Sequence, residues 1–215
     1  MVGPNAGLNA SATSKNIFIG TAENDSLGVG MNTTGNFNTF IGVDAGLNNT
    51  SGAENINIGS HAGKENTTGD NNINIGDDAG KNITTGDNNI NIGKQAGDSV
   101  VDGARNIIVG SEAGNNMGSS VNDNIIMGAR AGQNNAVDNS IFIGKDAGKN
   151  TTTGSENIAI GNYALDNNIT GNRNVAIGDY NLNGTSGTHN VAVGDEALSQ
   201  IASGDYNTAL GGLAA

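Results

Sequence analysis

Cysteine and tryptophan are absent from this 215-residue chain, and proline occurs once, at Pro4. Without cysteine there is no disulfide framework, and the redox compartment is not readable. Aromatic residues make up 3% of the chain, too few for the core of an ordinary globular domain. Cations are scarce as well: nine Lys and Arg stand against 21 Asp and Glu, a net charge of −12. Nucleic acid is therefore not an expected partner, since phosphate binding needs clustered Lys and Arg. Docking on anionic lipid is disfavoured for the same reason. No apolar run approaches membrane-spanning length, so direct insertion by this segment is not expected. Met1 leads directly into a repeat copy, so no signal peptide is expected within these residues. A Gly-x-Ser-x-Gly elbow, a Cys-His pair and a P-loop are all missing, so no catalytic residue and no cofactor are expected.

What the chain has in abundance is glycine, 35 residues of it. These lack the three-residue period of collagen. They mark instead a phrase whose fullest form is Asn72-Ile73-Asn74-Ile75-Gly76-Asp77-Asp78-Ala79-Gly80. Its first glycine falls at Gly3, Gly20, Gly42, Gly59, Gly76, Gly93, Gly110, Gly128, Gly144, Gly161, Gly178, Gly194 and Gly211, nearly always 17 residues apart. A period this short and this regular means a solenoid in which each coil packs on its neighbours. Apolar residues held in register argue against disorder. Residues 1–215 read as one repeat array, with an insertion near 21–30 where the spacing widens to 22. Both ends read as cut from a longer array, so anchoring and assembly segments are expected outside it.

Each copy alternates before its glycine, as in Ile73-Asn74-Ile75, which is the strand period. The flanking positions, such as Ile56/Ile58, Ile90/Ile92 and Val175/Ile177, are expected to line the coil interior. A second short strand is expected to carry the alanine of each copy, at Ala45, Ala62, Ala79 and onward. Thr/Ser-Gly pairs such as Thr68-Gly69 and Thr85-Gly86 close the coil. Seventeen residues accommodate two short strands and two turns, not a helix plus a strand. The fold expected is an all-β parallel β-solenoid of about 17 residues per coil. The residue before the strand is Asn in eleven of twelve complete copies, Ser140 being the exception, and stacked amides there would bond to each other and to turn backbone.

The middle residue runs Phe18, Phe40, Asn57, Asn74, Asn91, Ile108, Ile126, Phe142, Ala159, Ala176, Ala192, Ala209. If the flanking residues face inward, this one faces out, and the array carries an apolar stripe that needs cover. The residue after the repeat alanine compensates its volume. Glycine follows where the middle is Phe, Asn or Ile, and Leu165, Leu182 or Leu198 follows where it is Ala. Two positions that trade volume fill one space. A thin coil with such a stripe implies a partner, and another copy of the chain in a closed ring is the simplest one. Phe18, Phe40, Ile108, Ile126, Phe142, Leu165, Leu182 and Leu198 are the expected packing residues.

Phrases such as Asn157-Ile158-Ala159-Ile160-Gly161-Asn162-Tyr163-Ala164-Leu165 and Asn174-Val175-Ala176-Ile177-Gly178 resemble the head repeats of trimeric autotransporter adhesins. They are also similar to repeats in phage tail fibres and other bacterial trimeric fibres. The resemblance covers essentially the whole chain. It implies a left-handed parallel β-roll, a homotrimer with each middle residue turned toward the threefold axis, and an extracellular, cell-surface role. The chain departs from the family pattern in its longer period and in the Asn57, Asn74, Asn91 run, which takes the place of small apolar residues.

In such a trimer, Asn57, Asn74 and Asn91 would form axial amide rings, bonded to one another, to water or to an anion. Tyr163 and Tyr180, one period apart, would stack outside, where aromatic faces can grip sugars or protein. His61 and His189 lack a partner at metal-ligand spacing, and the chain has no calcium-roll signature, so no metal is expected. Sequons such as Asn66-Thr67-Thr68 follow from turn chemistry rather than glycosylation. The leading functional expectation is an adhesive or receptor-binding fibre segment engaging an unidentified surface glycan or protein. The alternatives are a structural spacer and, less favoured, an ice-binding solenoid; a β-helix polysaccharide lyase has no constellation to support it.

Overall fold

The computed structural model describes residues 6–7, 15–21, 28–183, 186–199 and 203–214. Within them the chain is an all-β parallel solenoid without a helix. Twelve three-residue strands form one sheet: β1 (Ile17–Ile19), β2 (Thr39–Ile41), β3 (Ile56–Ile58), β4 (Ile73–Ile75), β5 (Ile90–Ile92), β6 (Ile107–Val109), β7 (Ile125–Met127), β8 (Ile141–Ile143), β9 (Ile158–Ile160), β10 (Val175–Ile177), β11 (Val191–Val193) and β12 (Thr208–Leu210). They lie in strict chain order, and neighbours pair in parallel with equivalent residues opposite one another, as Asn57 opposes Asn74 and Asn74 opposes Asn91. Successive strands at about 4.8 Å make a rod of roughly 50–55 Å. The insertion expected near 21–30 lies partly in residues 22–27, outside the described ones. At its far end Val29 is fully buried and takes the place that alanine holds in later coils.

Each coil contains one strand, not the two expected. The alanine-bearing segment is a run of turns. Asp78 and Gly80 both have positive φ, 56° and 53°, and two left-handed residues in three positions cannot be extended. Turn bonds follow: Ala79 N donates to the Gly76 carbonyl at 3.3 Å, and Ile83 N to the Gly80 carbonyl at 3.2 Å. Coils still register across this segment, through bonds such as Gly80 N to the Ala96 carbonyl at 2.9 Å.

The two faces of the strand are exchanged relative to expectation. In β1 through β11 the middle residue is buried within a single chain, and the flanking residues are half-buried or exposed. Phe18, Phe40, Ile108, Ile126 and Phe142 are therefore coil interior, not packing against a second copy, and so are Leu165, Leu182 and Leu198. The physical reason lies two residues upstream. Side chains at i and i+2 share a face, so the middle residue shares its face with the Asn before the strand. That Asn must point inward, because the backbone groups it satisfies are there. Asn72 Nδ2 donates to the Gly86 carbonyl at 2.7 Å, and its Oδ1 accepts from Asn89 N at 3.0 Å. The same arrangement recurs at Asn38, Asn55, Asn89, Asn157, Asn174 and Asn190. The amide ladder is structural, as its chemistry suggests.

The volume trade is real, and the shared space is the coil interior. A Cβ built on Gly148 would lie 2.5 Å from Phe142 Cδ1, and one on Gly46 would lie 2.6 Å from Phe40 Cδ2. Where Ala159, Ala176 and Ala192 vacate that space, Leu165, Leu182 and Leu198 fill it, although each then holds a φ near 50° that leucine ordinarily avoids. The interior changes character along the rod. An aromatic block (Phe18 on Phe40, centroids 5.3 Å apart) gives way to an amide column, then to Ile108, Ile126 and Phe142, then to the Ala/Leu coils. The amide column separates two apolar clusters.

Candidate functional site

The surface that stands out is the outer face of the sheet. Because the middle residue is inside, the two flanking residues of each strand form two parallel rows along the rod. Twenty-two of the twenty-four are Ile, Val, Met or Leu, the exceptions being Thr39 and Thr208. Nine of them rank among the exposed large hydrophobics, from Ile92 at 36% to Leu210 at 80%. Together they expose on the order of 1,000 Å² of apolar surface, against a few hundred for the largest patch on an ordinary monomer. The sequence pattern contained this face, but the side it belonged to was set by the Asn ladder rather than by hydrophobicity.

Two ladders of left-handed residues border the face. The leading edge lies two residues before each strand from β2 to β12: Phe37, Glu54, Asn71, Asn88, Arg105, Asp123, Asn139, Glu156, Arg173, His189, Tyr206. The trailing edge lies three residues after it: Asp44, His61, Asp78, Gln95, Glu112, Arg130, Asp146, Tyr163, Tyr180, Glu196, Leu213. All have positive φ, and none is β-branched, since Val, Ile and Thr tolerate that conformation worst. Backbone bonds continue the stacking out to both edges, as in Arg105 N to the Asp87 carbonyl (3.0 Å) and Glu112 N to the Lys94 carbonyl (2.8 Å).

Along each edge, neighbouring coils pair by charge. Arg105 grips Asp123 with Nε–Oδ1 2.6 Å and Nη2–Oδ2 2.8 Å, and Arg173 grips Glu156 with Nε–Oε2 2.9 Å. On the trailing edge Arg130 holds Asp146 through two 2.7 Å bonds, with Lys149 Nζ 3.4 Å away. The guanidinium bonds hold the Asp146 carboxyl below its ordinary value near 3.8 and push the Arg130 guanidinium further up. Burial raises Asp98 and Asp166 above the ordinary carboxylate range.

Tyr163 and Tyr180 do stack outside, centroids 4.9 Å apart and 9° from parallel, with Lys145 Nζ 5.3 Å from the Tyr163 ring. A second stack, His189 on Tyr206 at 4.9 Å, lies on the other edge and was not expected. The signal for it was the same period, applied to unlike residues. His61 also has neighbours that linear spacing concealed: its Nδ1 is 3.2 Å from Asp78 Oδ1, and its Nε2 is 3.9 Å from Asp44 Oδ2. One ligand atom each from His61, Asp77 and Asp78 could converge within 4.8 Å. The charge of that cluster is countered by Lys81, 3.2 Å from Asp78, and Lys64, 3.0 Å from Asp44.

Asn57, Asn74 and Asn91 are in the coil interior, so they form no ring on an axis between copies. Asn74 Nδ2 donates to Asn57 Oδ1 at 2.8 Å, and Asn91 Nδ2 to Asn74 Oδ1 at 2.9 Å. The column ends against Phe40 and Ile108, which leaves Asn57 Nδ2 and Asn91 Oδ1 buried without a partner. A cleft beside the coil of β7, lined by Ser119, Ser120, Val121, Val137 and Asp138, follows from the uneven spacing there. Its carboxylate is engaged by Asn122 N at 2.7 Å. Among the described residues no helix is long and apolar enough to cross a membrane. Comparison with protein-family models, curated proteins and solved structures returned no match.

Proposed function

We propose that this chain is a segment of an extracellular, homotrimeric fibre, a left-handed β-roll that mediates attachment to a cell or host surface. The observation that carries the reading is the uncovered apolar face on every coil. A rod with two rows of Ile and Val along its length would aggregate unless something sheltered them. A closed ring of identical rods does so with one surface, and the obligate interface it makes is apolar, as such interfaces are. The packing residues in this reading are the flanking positions, Ile75, Ile92, Ile107, Ile160 and their equivalents. The resemblance of Asn157–Leu165 to adhesin head repeats supports the stoichiometry of three and the surface location.

In this reading the stiff assembly presents three copies of each outward feature, and weak contacts gain by multivalency. The stacked Tyr163 and Tyr180 rings are the candidate contacts for a glycan or protein receptor. Sedimentation equilibrium tests the assembly: a mass three times the protomer is expected, and a soluble protomer at tens of micromolar overturns it. Binding to target cells or a glycan array tests attachment. An assembled fragment that binds nothing favours the spacer reading, in which the binding tip lies elsewhere. The regularity of the exposed face also gives the ice-binding reading a specific basis, and thermal hysteresis from a monomeric chain would select it.

A further inference from the structure

The two edges of the apolar face match each other across the strand. Both edges have a residue at the level of each strand from β2 to β12. At β6 these are Arg105 and Glu112; at β7 the signs reverse, Asp123 and Arg130. At β3 and β11 an acid faces a histidine. At no level does acid meet acid, although acids outnumber Lys and Arg 21 to nine. Within the chain the charged pairs Arg105–Asp123, Arg173–Glu156 and Arg130–Asp146 each lie along one edge. Arg105 and Glu112 lie on opposite sides of the three-residue strand β6, each in a left-handed bend or turn outside it. The direct ion-pair partners of Arg105 and Arg130 within the chain are Asp123 and Asp146, on the adjacent coil of their own edges.

We propose that the leading edge of one copy docks against the trailing edge of the next, with the rods parallel and in register, so that Arg105 and Asp123 meet the neighbour's Glu112 and Arg130. This rests on the self-association reading and adds its direction and register. Rotation about an axis along the rod places unlike edges together at the same level. An inverted packing would place each edge against its own kind, which on the trailing edge sets Asp78, Glu112 and Glu196 against a second set of the same acids. In the parallel arrangement the four charges at β6 and β7 form a closed checkerboard, each with an opposite neighbour both along the rod and across the junction. A slip of one coil would set Arg105 against Arg130. Rows of isoleucine slide past one another at little cost, so the edges, rather than the face, fix the register.

The chain has no cysteine, so introduced thiols report cleanly. Arg105→Cys combined with Glu112→Cys should give covalently closed rings on mild oxidation, because bridging requires Cα atoms within about 7 Å. Asn71→Cys with Glu112→Cys, offset by two coils, should remain uncrosslinked. Reversing one edge, Arg105→Glu with Asp123→Arg, preserves the pairing within the chain but sets like charges across the junction. Self-association should weaken at least tenfold at low salt and recover in part at 0.5 M NaCl. If the assembled chain crosslinks through Arg105→Cys alone, or is indifferent to edge reversal, the edge pairing is wrong and self-association stands. If the unmodified chain sediments as a protomer, the self-association reading fails and takes this proposal with it.

Discussion

In each coil the middle strand residue and the residue after the repeat alanine share space for one large side chain between them. Phe142 with Gly148 is one solution, and Ala159 with Leu165 on the next coil is the other. Gly148→Leu alone should therefore be severely destabilising, by about 3 kcal/mol or more, through overpacking and a strained φ. Phe142→Ala alone should cost about 3–4 kcal/mol through the cavity it leaves. The two together extend the Ala/Leu block by one coil and should recover most of the loss, a coupling of about 2 kcal/mol or more by denaturant titration. The trade was legible in the sequence because it is a correlation between two positions. Its location was not, since a correlation shows that two side chains share a space without showing which space.

At the scale of elements, the buried amide column sets the test. Asn74→Ile removes the middle bond partner of both neighbours and should cost about 2–3 kcal/mol. Replacing Asn57, Asn74 and Asn91 together with Ile removes the two orphaned ends and continues the column that Ile108 begins, beside the same small followers. The triple variant should be at least as stable as the parent in thermal unfolding. On the trailing edge, the Asp146 carboxyl, 1% exposed, is held low by Arg130. A lowered folded value means that its stabilisation is complete above the ordinary value near 3.8 and is lost as pH falls through the folded one. Asp146→Asn should flatten the acid limb of the melting-temperature profile below about pH 4 while leaving the profile near neutrality parallel to the parent's. The single strand per coil was not legible, because the alanine-bearing segment looks apolar enough for a strand. What prevents it is a pair of left-handed residues, the first of them an ordinary residue with a side chain, such as Asp78, Gln95 or Tyr163.

For the whole molecule the open question is what covers the sheet face. Ile92, in the middle of that face and 36% exposed, lines no coil interior. Ile92→Glu should leave the β-sheet circular dichroism of the protomer intact and reduce the assembled mass to that of one chain. An unchanged mass would mean that the face is not where copies meet. The same substitution at Ile108, buried in the coil, should unfold the protomer, and the contrast separates the two faces in one experiment.

The repeat period, the parallel stacking, the absence of a globular core and the Asn ladder all follow from residues in order along the chain, because each concerns spacing or local hydrogen bonding. Which face of a three-residue strand is inside does not follow from hydrophobicity here, since both faces are apolar. That was decided only when the coil closed and the Asn side chain found its carbonyl on one side of the backbone. The partners of His61, His189 and Arg105 likewise exist only in three dimensions. Residues 16 to 18 apart become neighbours because the solenoid turns once between them, and the matched edges of the face come into view only once every coil is stacked on the last.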